Sequence, residues 1–323
     1  MTSAPVSTVP VAGRAQSGSR LADRAFRFLC LAGAMAVGLL LVLVVWQLLK
    51  GSHLSMSKFG WKFLTSKTWN AVTEDFGALP FIFGTIISSI IALLIAVPLS
   101  LGTAIYLTDL APPRLRQPLT SLIEMLAAVP SVVWGLWGLF VLVPALQATL
   151  YPMLQKWLGF LPLFQGPIYG IGLLTSGIIL AIMILPIVTS VSREVLRSVP
   201  NLQREAAYAL GATRWEVTRI AVLSYARRGL FGAAVLGLGR ALGETMAVTM
   251  VIGNTPYIGP SLFHPGSTLA SSIANEFTEA TSDIYLSSLF ELGLVLLGVT
   301  IAVNILAQVM VRAFTTAETR RVA

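Results

Sequence analysis

Arg240 and Glu244 are two charged residues within a long apolar segment, and together they could bind and release an anion. They stand four residues apart in the sequence Arg-Ala-Leu-Gly-Glu, and residues at this spacing share one face of a helix. A guanidinium can bind a tetrahedral oxyanion in a bidentate manner. A carboxylate beside it would oppose the anion and shorten its residence, as permeation requires. The spacing therefore predicts a transient oxyanion site.

The same pair would lie deep in a bilayer if the apolar segment spans a membrane. Arg240 follows Arg228 by twelve residues, which at about 1.5 Å per residue places it about 18 Å from the inner boundary. A charge there costs about 3 kcal/mol or more and must face protein or water. The alternative is an ion pair that only fixes helix packing. Gly239 and Gly243 either let a second helix approach or expose the backbone to a passing solute.

The composition is that of an integral membrane protein. Of the 323 residues, 55% are hydrophobic and 11% charged, with a mean hydropathy of +0.80, whereas soluble domains are about 25% charged. Apolar runs long enough to cross about 30 Å of hydrocarbon lie near 28–49, 81–107, 119–145, 168–192, 229–253 and 285–311. They lack the short alternating pattern of barrel strands. We therefore predict an all-α fold with six transmembrane helices.

The positions of the basic residues predict the orientation of these helices. With an inside N-terminus, every arginine except Arg240 falls on the inner side, and the five lysines fall outside. This asymmetry agrees with the positive-inside rule, so both termini are expected in the cytoplasm. Residues 1–24, rich in Ser, Ala, Pro and Gly, are predicted to be a disordered cytoplasmic tail. The permease domain is expected over 25–315, and 316–323 is expected to be a second tail.

Several other residues within and between the spans stand out. Pro98 and Pro130 are expected to kink their helices. Glu124 and Glu291 are weaker site candidates, because each lies within two turns of an expected helix end and could snorkel or pair there. In the outer segment 51–80, the aromatic residues Trp61, Phe63 and Trp69 lie among lysines, which favours an interfacial belt over a ligand cage.

A polar segment, 193–228, separates two apolar runs and has the signals of a helical hairpin. It contains Glu205, Ala206, Ala207 and then Gly211, which suits a left-handed position after a helix. The two alanines would keep one face flat for another backbone, and Glu205 would meet a cationic partner. We expect a cytoplasmic docking surface. A solvated hairpin without a partner is the alternative, whereas nucleic-acid binding is disfavoured by the membrane spans on either side.

The expected partner would supply energy, since the chain has no nucleotide-binding motif. No Gly-x-x-x-x-Gly-Lys-[Ser/Thr] loop is present, so a separate chain must hydrolyse ATP. His53 and His264 are far apart in sequence and have no cysteine or histidine at ligand spacing. We expect no catalytic residue, no bound cofactor and no metal site in this chain.

The hairpin pattern Glu-Ala-Ala-x-x-x-Gly resembles the coupling-helix region of ABC importer permeases. Ala221 and Ser224 depart from that family, which usually has Ile and Pro there. The segments 237–254, 76–85, 126–144 and 273–280 resemble the PstC family of phosphate importer permeases, with the likeness running from about 60 to 312. The resemblance implies a type I ABC importer fold in the bacterial cell membrane. It also implicates Arg240 and Glu244 in phosphate passage.

This resemblance implies a set of partners as well. They are a PstA-like sister permease that forms a heterodimer with this chain, two copies of a PstB-like ATPase that hydrolyse ATP with Mg, and an extracytoplasmic PstS-like phosphate-binding protein. The expected function is the permease subunit of an ATP-driven phosphate importer. The alternatives are a permease for another oxyanion, such as sulfate or molybdate, and a secondary transporter or anchor without ATP coupling.

Overall fold

The computed structural model describes residues 17–322, with side chains described for 22–310. Apart from an isolated β-bridge between Asn70 and Asp75, its regular structure is helical. Six helical stretches are long and apolar enough to cross a membrane: Ala22–Gly51, Leu79–Leu110, Ser131–Ala148, Leu173–Arg197, Arg214–Gly243 and Asp283–Met310. These are spans 1 to 6. They confirm the predicted all-helical fold with six spans.

The chain divides into two compact units, residues 1–50 and 51–323. The first unit contains helix α1 (Ser17–Gly51), which starts within the range predicted as a tail, while residues 1–16 lie outside the described residues. The second unit begins with the short helices α2 (His53–Phe59) and α3 (Lys62–Thr65). Its last helix, α15 (Asp283–Val322), continues into the range predicted as the second tail.

Between these ends, several spans combine α-helical and wider π-helical turns. The helices are α4 (Leu79–Ile105), α5 (Pro113–Ala128), α6 (Ser131–Trp137), α7 (Val143–Ala148), α8 (Leu150–Leu158), α9 (Leu173–Arg197), α10 (Asn201–Ala209), α11 (Arg214–Glu216), α12 (Leu223–Gly243), α13 (Met246–Ile252) and α14 (Leu269–Glu276). The π-helical turns are Tyr106–Leu110 after α4, Gly138–Leu142 before α7, and Val217–Val222 between α11 and α12; a 3₁₀ turn covers Pro162–Phe164.

The predicted third span, 119–145, is two helices rather than one kinked helix. Val129 and Pro130 both have extended backbone angles, with ψ of 127° and 143°. Proline has no N–H to donate, and it disfavours helical geometry at the preceding residue. The chain therefore ends α5 and begins α6 at Pro130, whereas Pro98 remains inside α4.

The predicted fifth span, 229–253, is also interrupted. The helical stretch begins at Arg214, so the second half of the polar hairpin and span 5 are continuous. It ends at Gly243, because Glu244 has the extended angles φ −72° and ψ 126°, and a new helix starts at Met246. The prediction that Arg240 and Glu244 lie on one unbroken helix is therefore wrong.

The centre of the second unit is the packing of α9 between α4 and α12. Small side chains allow close contact there, and the buried cluster contains Ala92, Ala96, Leu180, Ala181, Ile184 and Ala241. Gly237 of α12 lies so close to α9 that a Cβ would come within 2.6 Å of Val188. The interrupted helices α6 and α13 also meet, with Gly135 against Met250. Short side chains thus bring the broken spans onto a common core.

An aromatic cluster closes one end of this unit. Phe63 is fully buried, and the ring of Trp69 packs edge-on against Phe81 with centroids 4.8 Å apart. The indole N–H of Trp69 and the hydroxyl of Tyr285 each donate to Glu276 Oε2 at 2.6 Å. The interfacial-belt interpretation is therefore wrong for Phe63, which belongs to the core, and Trp69 is partly buried against the same cluster.

Candidate functional site

The side chains of Arg240 and Glu244 face an open groove on span 5. The Arg240 side chain is 40% exposed and that of Glu244 9% exposed, with Nη2 and Oε2 3.9 Å apart. The groove has a volume of about 650 Å³ and is lined also by Ile187, Gly232 and Asn304. The distance between Arg240 Nη2 and Glu244 Oε2 exceeds that of a hydrogen bond, so the guanidinium keeps donors for another acceptor. The pair is not sealed inside a helix contact of this chain.

Gly239 and Gly243 lie on the same open side of α12. Apart from the neighbouring residues and the nearby backbone of the same helix, no atom of the described residues comes within 4 Å of a Cβ built at either position. Of the two roles considered for these glycines, the geometry favours exposure of the backbone to the groove over close contact with a helix of this chain. Gly237 instead faces Val188 of α9. The α12 helix therefore has one packed face and one glycine-lined open face.

The interruption of span 5 adds a polar backbone to this site. Arg240 is in the last turn of α12, and its positive charge is favourable there because the C-terminal carbonyls carry partial negative charge. The extended conformation of Glu244 ends the helical hydrogen bonding and lets its side chain turn back toward Arg240. Interrupted spans with exposed helix ends are the usual location of solute sites in transporters. The arrangement can hold an anion transiently.

The hairpin of the polar segment is built as its local signals predict. Gly211 has a φ of +82°, a left-handed conformation that glycine adopts without steric cost. Its N–H donates to Tyr208 O, and the N–H of Ala212 donates to Ala207 O, the two bonds of a Schellman motif. Thr213 and Glu216 form a reciprocal capping box at the start of α11. The turn between α10 and α11 is thus fixed by its own sequence.

The residues predicted to couple to a partner lie on two different faces of α10. Glu205 and Ala206 are exposed. The same polar segment has large apolar side chains that are exposed, namely Leu202 (72% exposed), Leu210 (90%) and Trp215 (55%). Ala207 instead packs on the buried cluster that includes Leu196 and Val217. The exposed hairpin surface therefore comprises Glu205 and Ala206 with apolar neighbours, and Ala207 anchors the helix to its own chain.

The sequence comparisons decide the family. Residues 96–317 match the family described as "Binding-protein-dependent transport system inner membrane component". The chain belongs to this family. A "Phosphate transport system permease protein PstC" from Mesorhizobium japonicum is 52% identical over 294 residues, covering 90% of each chain. Proteins of the same description from Pasteurella multocida and Xylella fastidiosa are 50% identical over 86% and 47% identical over 95% of this chain, or 88% and 95% of their own lengths.

Solved structures show the same fold for this permease. A bacterial ABC transporter involved in the import of the acidic polysaccharide alginate has a TM-score of 0.56 at 18% identity, covering 92% of this chain and 99% of that one. An inward-facing MetNI methionine ABC transporter has a TM-score of 0.50 at 16% identity, covering 73% and 94%. This permease is therefore a multi-pass membrane protein with the fold of ABC importer permeases.

The two weaker candidates of this permease have different surroundings. Glu124 accepts a hydrogen bond from Arg193 Nη2 at 3.1 Å, in an ion pair that joins α5 to α9, and Arg193 also donates to Thr120. Glu291 is 7% exposed, and its Oε2 has no hydrogen-bond partner among the described residues. It lines a largely apolar groove of about 670 Å³ with Trp61. Glu291 is therefore buried within this chain, whereas Glu124 forms an ion pair with Arg193.

Proposed function

We propose that this chain is a membrane-spanning permease subunit of an ATP-driven importer of inorganic phosphate. The observation that carries the proposal is the exposed Arg240 guanidinium, held on an open groove at the interruption of span 5. Guanidinium groups suit tetrahedral oxyanions because their donors match two oxygens at once. The relatives that share about half of its sequence are described as phosphate transport permeases, which selects phosphate among the oxyanions.

In this proposal, the chain lies in a bacterial cell membrane with both termini and the 193–228 hairpin in the cytoplasm. The distribution of arginines supports that orientation. A PstB-like ATPase dimer binds the exposed surface of α10 through Glu205, Ala206 and their apolar neighbours. The ATPase binds and hydrolyses ATP with Mg, and this chain contributes no catalytic residue, no cofactor site and no metal ligand.

Transport then proceeds by alternating access around Arg240. A PstS-like binding protein delivers phosphate from outside, and a PstA-like sister permease forms the other half of the pathway. Arg240 attracts the anion into the groove, while the nearby Glu244 carboxylate keeps the binding weak enough for release. Closure of the ATPase dimer moves the hairpin and so changes which side of the membrane the groove faces.

Uptake by the complete complex reconstituted in liposomes tests this function. We expect uptake of radiolabelled phosphate only when both ATP and the binding protein are supplied. Unlabelled phosphate should compete, whereas sulfate and molybdate at equal concentration should not. Competition by sulfate or molybdate with equal potency would assign the permease to another oxyanion. Uptake that is independent of ATP would show a secondary transporter.

A further inference from the structure

Asp109 connects α10 to two membrane spans through its two carboxylate oxygens. Its Oδ1 accepts a hydrogen bond from Arg204 Nη1 of α10 at 2.6 Å, and its Oδ2 accepts one from Thr218 Oγ1 at 3.0 Å. Arg204 also donates through Nη2 to Leu196 O near the end of α9, at 3.0 Å. A single carboxylate and its arginine thus link span 2, span 4, span 5 and α10.

This link lies in a largely shielded place. The side chains of Asp109 and Arg204 are 9% and 21% exposed, and Thr218 is 2% exposed. Hydrogen bonds between charged groups are stronger than neutral ones and more sensitive to the loss of one partner. The interaction is therefore directional and firm, unlike an exposed surface ion pair.

The backbone at both ends of the link is unusual. Asp109 lies in the π-helical turn Tyr106–Leu110 that ends span 2, and Thr218 lies in the π-helical turn Val217–Val222 that begins span 5. Such turns are rare, and they are found frequently at functional sites. Each turn here contributes one side chain to the same contact. Arg204 immediately precedes Glu205, so the contact is one residue away from the exposed hairpin surface.

We propose that Asp109 is the positioning residue that transmits movement of α10 to spans 2 and 5. The proposal rests on the proposed function, because it presumes that the ATPase moves α10. The turn at Gly211 joins α10 to the start of span 5, whereas the apolar contact of Ala207 is non-directional and gives no fixed link to span 2. The Asp109 carboxylate contacts Arg204 and Thr218 at the same time, although the Thr218 hydroxyl also reaches Arg214 O, and a displacement of α10 then shifts both spans together.

The variant Asp109→Asn tests this role with little change in volume. It removes the charge and leaves one acceptor oxygen for two donors. In the reconstituted complex, we expect the number of phosphate ions imported per ATP hydrolysed to fall by about tenfold, as for the loss of a hydrogen bond to a charged group. Thr218→Val, which removes the donor to Oδ2, should lower the ratio in the same direction. Asp109→Glu, which retains the carboxylate, should recover part of it.

The matched control is Glu74→Gln, which neutralises the carboxylate that pairs with Lys58, in the segment between α3 and α4. This variant should keep the wild-type ratio of phosphate to ATP. An unchanged ratio in both Asp109→Asn and Thr218→Val would overturn the proposal, even if less complex is recovered, because a purely structural role changes the amount and not the coupling. Absence of ATP-dependent phosphate uptake in the wild type would instead reject the proposed function.

Discussion

Arg240 and Glu244 lie 3.9 Å apart at the end of α12, close enough to attract each other and too far apart for a hydrogen bond. Arg240 is 40% exposed, so the other residues of this chain leave space for a further group beside it. A pair that served only packing would be shielded and fully hydrogen-bonded, because a buried charge without partners is costly. The loose geometry therefore fits a site that alternates between its own counter-ion and an incoming anion.

Replacing Arg240 by glutamine removes the charge but preserves much of the side-chain volume. We expect the complex to assemble and phosphate uptake to fall to background, since neutral amide donors attract an anion less than a guanidinium. Arg240→Lys is the control that keeps the positive charge but lacks the planar, bidentate donor group of arginine, and it should retain a fraction of the activity. Initial rates of radiolabelled uptake measure both. Normal uptake by Arg240→Gln would remove this residue from the pathway.

Replacing Glu244 by glutamine should have the opposite effect on binding. The Glu244 carboxylate repels an anion at Arg240, and one neighbouring charge at an assumed separation of about 6 Å is worth about 3 kcal/mol at an effective dielectric near 20, before screening by solvent. We expect the reconstituted complex to retain labelled phosphate severalfold longer and to turn over more slowly. Faster turnover with unchanged retention would contradict the proposed role of Glu244.

The hairpin of α10 and α11 shows which features of secondary structure follow from local sequence. The Schellman motif at Gly211 and the capping box at Thr213 depend on residues within a few positions of each other, and both were predictable. The inward packing of Ala207 depends on Leu196 and Val217, whose positions follow from tertiary structure. The link between Asp109 and Arg204 joins residues 95 positions apart, and no periodic pattern indicated it.

The helix interruptions at Pro130 and at Glu244 also differ in whether their cause is local in the sequence. The break at Pro130 has a local cause, since proline cannot continue the hydrogen-bond pattern, although the sequence alone suggested a kink. The break at Glu244 has no proline, and apolar residues continue beyond it. Hydropathy therefore predicts the presence of span 5 and misses its early end. The oxyanion pair was predictable from residue types, whereas its extended Glu244 backbone was not.

Charge reversal on α10 tests the exposed hairpin surface. Glu205→Lys places a positive charge where a cationic partner is expected, so we predict that the ATPase subunit no longer co-purifies with the permease and uptake is lost. Glu194→Lys makes the same change at an exposed position near the end of α9 and should leave co-purification intact. Full association of the ATPase with the Glu205→Lys variant would count against docking at this surface.

The hydropathy of the sequence accounts for the number of spans. The packing within the second unit depends on close contacts that composition does not predict. Span 2 meets the loop before α14 at Gly84, where an added Cβ would come within 2.0 Å of Ser267 O. The aromatic cluster around Phe63 and Trp69 is another such contact, since the sequence suggested a belt and the fold makes it a core. The fit between packed spans and loops thus depends on contacts between residues that are far apart in the sequence.

The variant Gly84→Ala tests this packing. The methyl group must displace backbone, so we expect a loss of stability of about 1–3 kcal/mol, as for other overpacked cores. Gly102→Ala in the same helix meets no described atom within 4 Å and should raise stability by about 0.5–1 kcal/mol because alanine favours helix. The midpoints of thermal unfolding of the purified complex compare the two. Equal midpoints would show that the Gly84 contact relaxes freely.

The short non-helical stretch at Glu244 and Thr245 also provides a hinge between α12 of span 5 and α13. A continuous helix can bend only by breaking hydrogen bonds, but here the ladder already stops at Gly243 and resumes at Met246. Rotation about the backbone torsions of two residues is enough to swing α13 relative to α12, without loss of any helical bond. The joint includes Glu244, which lines the groove with Arg240, so the same rotation would move the carboxylate relative to the guanidinium.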